Sequence, residues 1–166
     1  TTISITILDD AIEEPDETFT VALSNPLNAT LAVAEGVGTI VDDDTAGVTV
    51  TPLTVMVTEG GITDTYTIVL ESEPAADVSV TVAPDAQVVV DATALTFTDA
   101  NWDVPQTLVV TAVDDAVSEP TPHFGFITHT LTSGDVNYDG AFEIVVTAVI
   151  TNQDNMSPIA VAVSYT

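Results

Sequence analysis

Lysine and arginine are absent from this chain, and with them every salt bridge to a permanent cation. All 26 charged side chains are Asp or Glu, for a formal net charge of −26. Phosphate contacts need cationic donors in number, so nucleic acid is excluded as a partner. Anionic membrane surfaces are excluded on the same ground. Cysteine is also missing, which leaves neither a disulfide framework nor a thiolate metal site. No apolar run reaches spanning length, so membrane insertion is not expected, and nothing at Thr1 has the pattern of a signal peptide. No stretch carries a helical hydrophobic period, and no substantial helix is expected.

What is present is an apolar, strand-forming chain. Hydrophobic residues make up 46% of its 166 positions, too many for a solvated acidic tail and enough for one or two small packed domains. Ile3, Ile5 and Ile7 alternate with Thr2, Ser4 and Thr6, and Phe19, Val21 and Leu23 alternate with Thr18, Thr20 and Ala22. Tyr66, Ile68 and Leu70 repeat the scheme, as do Val78, Val80 and Val82, then Phe142, Ile144, Val146, Ala148 and Ile150. This period of two in Val, Ile and Thr predicts half-buried antiparallel strands. Turn signals punctuate it at Asn25-Pro26, Glu59-Gly60-Gly61, Glu73-Pro74, Ser133-Gly134 and Asp139-Gly140. Short strands at such spacing predict an all-β fold of tandem immunoglobulin-like antiparallel sandwiches.

An internal repeat divides the chain. Ile7 to Ile12 reads like Ala112 to Val117, which sets Glu14-Pro15 on Glu119-Pro120 and Phe19 on Phe124. Thr39 to Asp42 resembles Val149 to Asn152, and Val48-Thr49-Val50 resembles Ile159-Ala160-Val161. Residues 1–44 then form the back half of one sandwich, 45–155 a complete one, and 156–166 a linker and an opening strand. The half-domain's apolar face needs a facing sheet. Either the missing strands lie upstream in a longer chain, or another copy supplies them, with 159–166 as a donated strand.

The stretch with the strongest chemical demand is Asp42-Asp43-Asp44, set between the apolar runs Val37 to Val41 and Val48 to Val57. Crowded carboxylates repel unless a cation sits among them, and a chain of this charge has no internal counter-ion. Hard oxygen ligands favour Ca²⁺. The competing reading is adaptation to high salt, with the surface charge merely screened.

Asp9-Asp10-Ala11-Ile12-Glu13-Glu14-Pro15-Asp16-Glu17-Thr18-Phe19, with Val21, Leu23 and Ser24, resembles the signature of Calx-beta domains. Ile40 to Val48 is similar to the exit of one such domain into the next, and Val57-Thr58-Glu59-Gly60-Gly61 to the family's opening acidic turn. The stretch from Leu95 to Asp115, through Asn101-Trp102 and Pro105-Gln106-Thr107, resembles a related repeat of large bacterial surface proteins. The resemblance implies Ca²⁺ held among loops at one end of a sandwich. By position it implies Asp10, Glu14 and Glu17 as ligands in the acidic turn, and Asp42, Asp43 and Asp44 at the exit. It implies Glu59 in the second domain's opening turn, with Asp9 and Glu13 facing solvent or supporting the ligands. In that domain Asp114, Asp115 and Glu119 are kept, Pro122 stands where Glu17 stands, and Asn152, Gln153 and Asp154 replace the triple Asp. Asp154 with the amide carbonyls makes a site of lower charge and lower affinity.

Asp135 to Gly140 spells the first half of an EF-hand loop, but Val146 holds the position of the closing Glu, so an ordinary polar turn is expected. His123 and His129, out of phase with Phe124 and Phe126, are expected to point outward. Trp102 is expected at a sheet edge or core rim, and Asn28-Ala29-Thr30 fits a glycosylation triplet.

Two functions fit this pattern. One is a calcium-stiffened structural module of a long extracellular repeat protein at a bacterial surface (an adhesin, sheath or filament), whose partners are neighbouring repeats or other copies. The other is a regulatory Ca²⁺ sensor of the kind that Calx-beta domains form in sodium–calcium exchangers. An enzyme such as a glycan hydrolase would need its paired acids in a cleft. These acids fall in turns and at a joint, so no enzymatic activity is expected.

Overall fold

The computed structural model describes residues 2–154 as an all-β protein. Eleven strands form among these residues: β1 (Glu17–Ala22), β2 (Glu35–Ile40), β3 (Val48–Thr51), β4 (Thr54–Thr58), β5 (Asp64–Leu70), β6 (Val78–Pro84), β7 (Val88–Val90), β8 (Ala94–Phe97), β9 (Gln106–Ala112), β10 (His123–Ser133) and β11 (Glu143–Thr151). Nine of them build a sandwich. One sheet has the order β4-β11-β10-β6-β8 and the other β3-β5-β9-β7. The alternation that defines the strands also builds the core. Tyr66, Ile68 and Leu70 of β5, Val78, Val80 and Val82 of β6, and Val146, Ala148 and Ile150 of β11 point inward and are buried.

The apolar run from Val48 to Val57 does not make one strand. It breaks at Pro52, which has no N–H for a ladder, and β3 joins one sheet while β4 joins the other. After this crossing β4 runs alongside β11 in parallel, the exception in an otherwise antiparallel sandwich. Trp102 packs half-buried against the core, where the sequence sets it.

Residues 2–44 are built differently. β1 and β2 form a two-stranded antiparallel sheet of their own, with Phe19 facing Gly38 across the ladder. The Phe19 ring fills the space that Gly38 leaves, where a Cβ would clash with it. No residue before Val50 is among the buried core, and Ile3, Ile5, Ile7, Leu8, Leu23 and Val37 are exposed. The strand expected through Ile3, Ile5 and Ile7 is not formed: residues 2–10 join no ladder. Alternation selects a face, but a strand also needs a neighbour for its backbone groups, and none of the described residues supplies one. The segment 159–166, the expected donor strand, lies outside the described residues.

Both histidines correct the sequence reading. Their phase is indeed opposite to Phe124 and Phe126, but the faces are exchanged. The two phenylalanines are about half exposed, while Ile127, His129 and Leu131 of β10 point into the core. His129 is fully buried, because both ring nitrogens find partners there. Its Nδ1 lies 3.0 Å from the Ile144 carbonyl and its Nε2 2.7 Å from the Tyr66 hydroxyl. A carbonyl only accepts, so Nδ1 carries the proton and Tyr66 donates to Nε2. Burial pushes the His129 pKa down and the Tyr66 pKa up.

Candidate metal centres

The acidic turn and the acidic exit of residues 2–44 are tied to each other through their backbones. Asp10 Oδ1 accepts the Ile12 N–H (3.0 Å), folding the turn back on itself. The Glu14 N–H donates to Asp42 Oδ2 (3.2 Å), and the Asp42 N–H donates to Asp16 Oδ1 (3.1 Å). This reciprocal pair brings Asp9, Asp10, Glu14 and Glu17 around one cleft with Asp42, Asp43 and Asp44, enclosing about 70 Å³. The Asp44 carboxyl is pushed above its ordinary range by partial desolvation, then by repulsion from Asp42, Asp43, Asp9 and Asp10. Ile7, Leu8, Pro15, Ile40 and Val41 complete its lining, and no three of its carboxylates bring their oxygens within 4.8 Å of one another.

Two residues outside the expected ligand set hold this arrangement. Asp16 accepts from Asp42, as above. Glu13 is half-buried and reaches to the sandwich of β3–β11, where its Oε2 accepts the Ala46 N–H (3.1 Å) and its carbonyl accepts from Asn137 Nδ2 (3.1 Å). The Glu73 N–H donates to the Ala11 carbonyl (2.7 Å) beside a parallel bridge between Ile12 and Glu73. Asn137 sits in the Asp135–Gly140 turn, where Asp135 is buried and accepts the N–H groups of Ala75 and Asn137 (both 2.9 Å). That carboxylate organises a turn. Nothing in the local sequence marks Glu13 as a clamp; only the neighbouring sandwich gives it one.

Residues 45–154 use the same local device. Asp115 Oδ1 accepts the Val117 N–H (2.7 Å), as Asp10 does from Ile12. The side chains that converge there are Glu59, Glu119 and His123, the one group of three potential metal-binding side chains among the described residues whose ligand atoms all lie within 4.8 Å of one another. His123 Nε2 is 3.0 Å from Glu119 Oε2 and 3.6 Å from Glu59 Oε1. Glu59 is almost fully buried. Burial raises its pKa, the backbone N–H of Gln153 lowers it, and the adjoining Glu119 raises it again. Asp114 lies beside the turn at Gly60, whose φ of 59° suits glycine, and a Cβ there would come within 3.1 Å of Asp114 Oδ2. Asp114, Asp115 and Asp154 are exposed and stand outside the three-residue group.

His123, expected on the surface, belongs to this cluster because of register. Glu17 pairs with Ile40 in the first ladder and His123 with Ile150 in the second. Glu17 follows Glu14 by three positions, whereas His123 follows Glu119 by four. The extra residue moves His123, not Pro122, into the place that Glu17 holds.

No family model matches the chain, and no curated protein matches it. Among solved structures it is similar to WR4, an MSP family member of C. elegans, with 15% identity and a TM-score of 0.46 over 63% of this chain and 97% of that one. It is similar to the periplasmic chaperone SfaE, with 13% identity and a TM-score of 0.47 over 68% of this chain and 60% of that one. Domains 4 and 5 of the S-layer protein SbsC match with 17% identity and a TM-score of 0.36 over 70% of this chain and 63% of that one. These likenesses concern the β-sandwich fold. No helix among the described residues is long and apolar enough to cross a membrane.

Proposed function

We propose that this chain is a calcium-binding structural module of a long extracellular repeat protein at a bacterial surface. Its function is mechanical: Ca²⁺ fixes the joint between residues 2–44 and the sandwich that follows. The supporting observation is the cleft shared by the acidic turn and the triple Asp, linked through Glu13 to Ala46 and Asn137. A cation there would be bonded to the same turn that grips the sandwich. Ca²⁺ takes six to eight oxygen ligands and tolerates irregular geometry, which suits carboxylates arriving from two segments. The Calx-beta resemblance of Asp9 to Phe19 points the same way, and the absence of Lys and Arg leaves the neutralising role to ions. The partners on this reading are neighbouring repeats or further copies of the chain.

The test is a thermal melt with Ca²⁺, with Mg²⁺ and with chelator at fixed ionic strength, beside small-angle scattering. A ligand that binds only the folded state at 100 times its Kd stabilises by about 2.7 kcal/mol. A calcium-specific rise in Tm with a longer, stiffer particle is expected. Equal effects of Mg²⁺ or Na⁺ would reduce the acidic groups to screened surface charge.

A further inference from the structure

The Glu59, Glu119 and His123 cluster makes a demand that calcium meets poorly. His123 Nδ1 lies 3.3 Å from the Pro120 carbonyl. A carbonyl only accepts, so in the neutral ring Nδ1 holds the proton and Nε2 presents a lone pair. That lone pair faces two carboxylate oxygens, also acceptors, at 3.0 and 3.6 Å. Three acceptors turned toward one point repel unless something positive lies between them. Glu59 is 2% exposed, and its Oε2 is buried without a hydrogen-bond partner, as is His123 Nε2. A buried carboxylate oxygen left without a partner is costly.

We propose that this cluster is a site for a borderline divalent metal of the zinc class, chemically distinct from the acidic cleft of residues 9–44, whose potential ligands are oxygen only. Imidazole is a preferred ligand for such metals, whereas Ca²⁺ takes oxygen. Tetrahedral zinc with bonds near 2.0 Å sets its ligand atoms about 3.3 Å apart, and the two separations from Nε2 straddle that spacing. The Pro120 carbonyl does what an outer partner of a metal-bound histidine does, fixing the tautomer and ring orientation. Gln87 Nε2 orients Glu119 in the same way by donating to its Oε1 (3.3 Å). Three protein ligands leave a further coordination position for water.

The experiment titrates the whole chain with Zn²⁺ at pH 7 in saturating Ca²⁺, so that oxygen-only sites are filled. Calorimetry gives the stoichiometry, and ¹⁵N imidazole NMR reads the two histidines separately. One Zn²⁺ per chain is expected, with a shift of the His123 Nε2 resonance and none at the buried His129. His123→Gln and Glu119→Gln should each weaken zinc at least about tenfold, and His123→Gln should leave the calcium-dependent Tm rise in place. The metal-free melt of both variants establishes that they fold. Zinc binding undiminished in both variants would mean adventitious binding to surface carboxylates and overturn the site. So would displacement of zinc by Ca²⁺ at equal concentration. A His123 Nε2 resonance that excess Zn²⁺ leaves unmoved would overturn it too.

Discussion

Residues 2–44 and residues 45–154 share a vocabulary, yet one part has a core and the other does not. Both carry an acidic turn closed by an Asp carboxylate on the N–H two residues on, at Asp10 and at Asp115. Both follow it with an antiparallel pair, β1 with β2 and β10 with β11. In the second part β10 and β11 lie under a facing sheet, and Ile127, Val146 and Ile150 are fully buried. In the first, Phe19 and Val21 are half-covered and Ile3, Ile5 and Ile7 face solvent. The difference teaches that alternation prepares a buried face without burying it. The second layer does that.

The sharpest way to break this comparison is to truncate one residue in each part. Leu108→Ala, in the centre of β9, should cost about 2–5 kcal/mol in a urea melt. Ile5→Ala should cost less than about 0.5 kcal/mol. A comparable loss from Ile5→Ala would mean that the exposed apolar face is packed in solution, which would argue for a donated or upstream strand.

The next comparison sets the two acidic environments against each other. Asp43→Asn should remove much of the calcium-induced rise in Tm, because Asp43 lines the shared cleft. Asp91→Asn should leave that rise in place, because Asp91 serves the sandwich by accepting the Val109 N–H (2.9 Å). Equal loss in the two variants would count against the joint as the main ion site.

The smallest expected effect separates the two histidines. Burial holds the His129 pKa below its ordinary value of 6.5, so the unfolded chain takes up a proton first as pH falls. Its contribution is therefore full above pH 6.5 and is lost as pH drops from there through the folded pKa. The loss approaches about 1.4 kcal/mol per pH unit in that window. The raised pKa of Glu59 acts in the opposite sense, contributing fully below its ordinary 4.5 and losing that as pH rises through the folded value. Between pH 6.5 and 5.5 the wild-type chain should therefore lose more stability than His129→Gln does. Identical slopes would mean that His129 is not held neutral in the fold.

Much of the sandwich was legible before the structure. The inward residues of β5, β6 and β11, the turns at Gly60 and Gly140, and the place of Trp102 follow from alternation and turn chemistry. In β10 the larger apolar residues, Phe124 and Phe126, mark the outward face and not the core. The choice of face depended instead on Tyr66 and the Ile144 carbonyl, 63 and 15 residues away, which satisfy a buried histidine. The break at Pro52 carried a local signal. The parallel pairing of β4 with β11 did not, since it depends on which sheet the chain enters after the turn.

The candidate sites divide in the same way. The sequence by itself determined that the chain is all-β, that it lacks any internal counter-charge, and that its acids crowd around Asp10 and Asp42–Asp44, because composition and spacing are local properties. Only the tertiary structure decided that Glu13 clamps the joint and that His123 joins Glu59 and Glu119. Those contacts join residues far apart in the chain, and one added position between Glu119 and His123 changes which side chain the ladder presents.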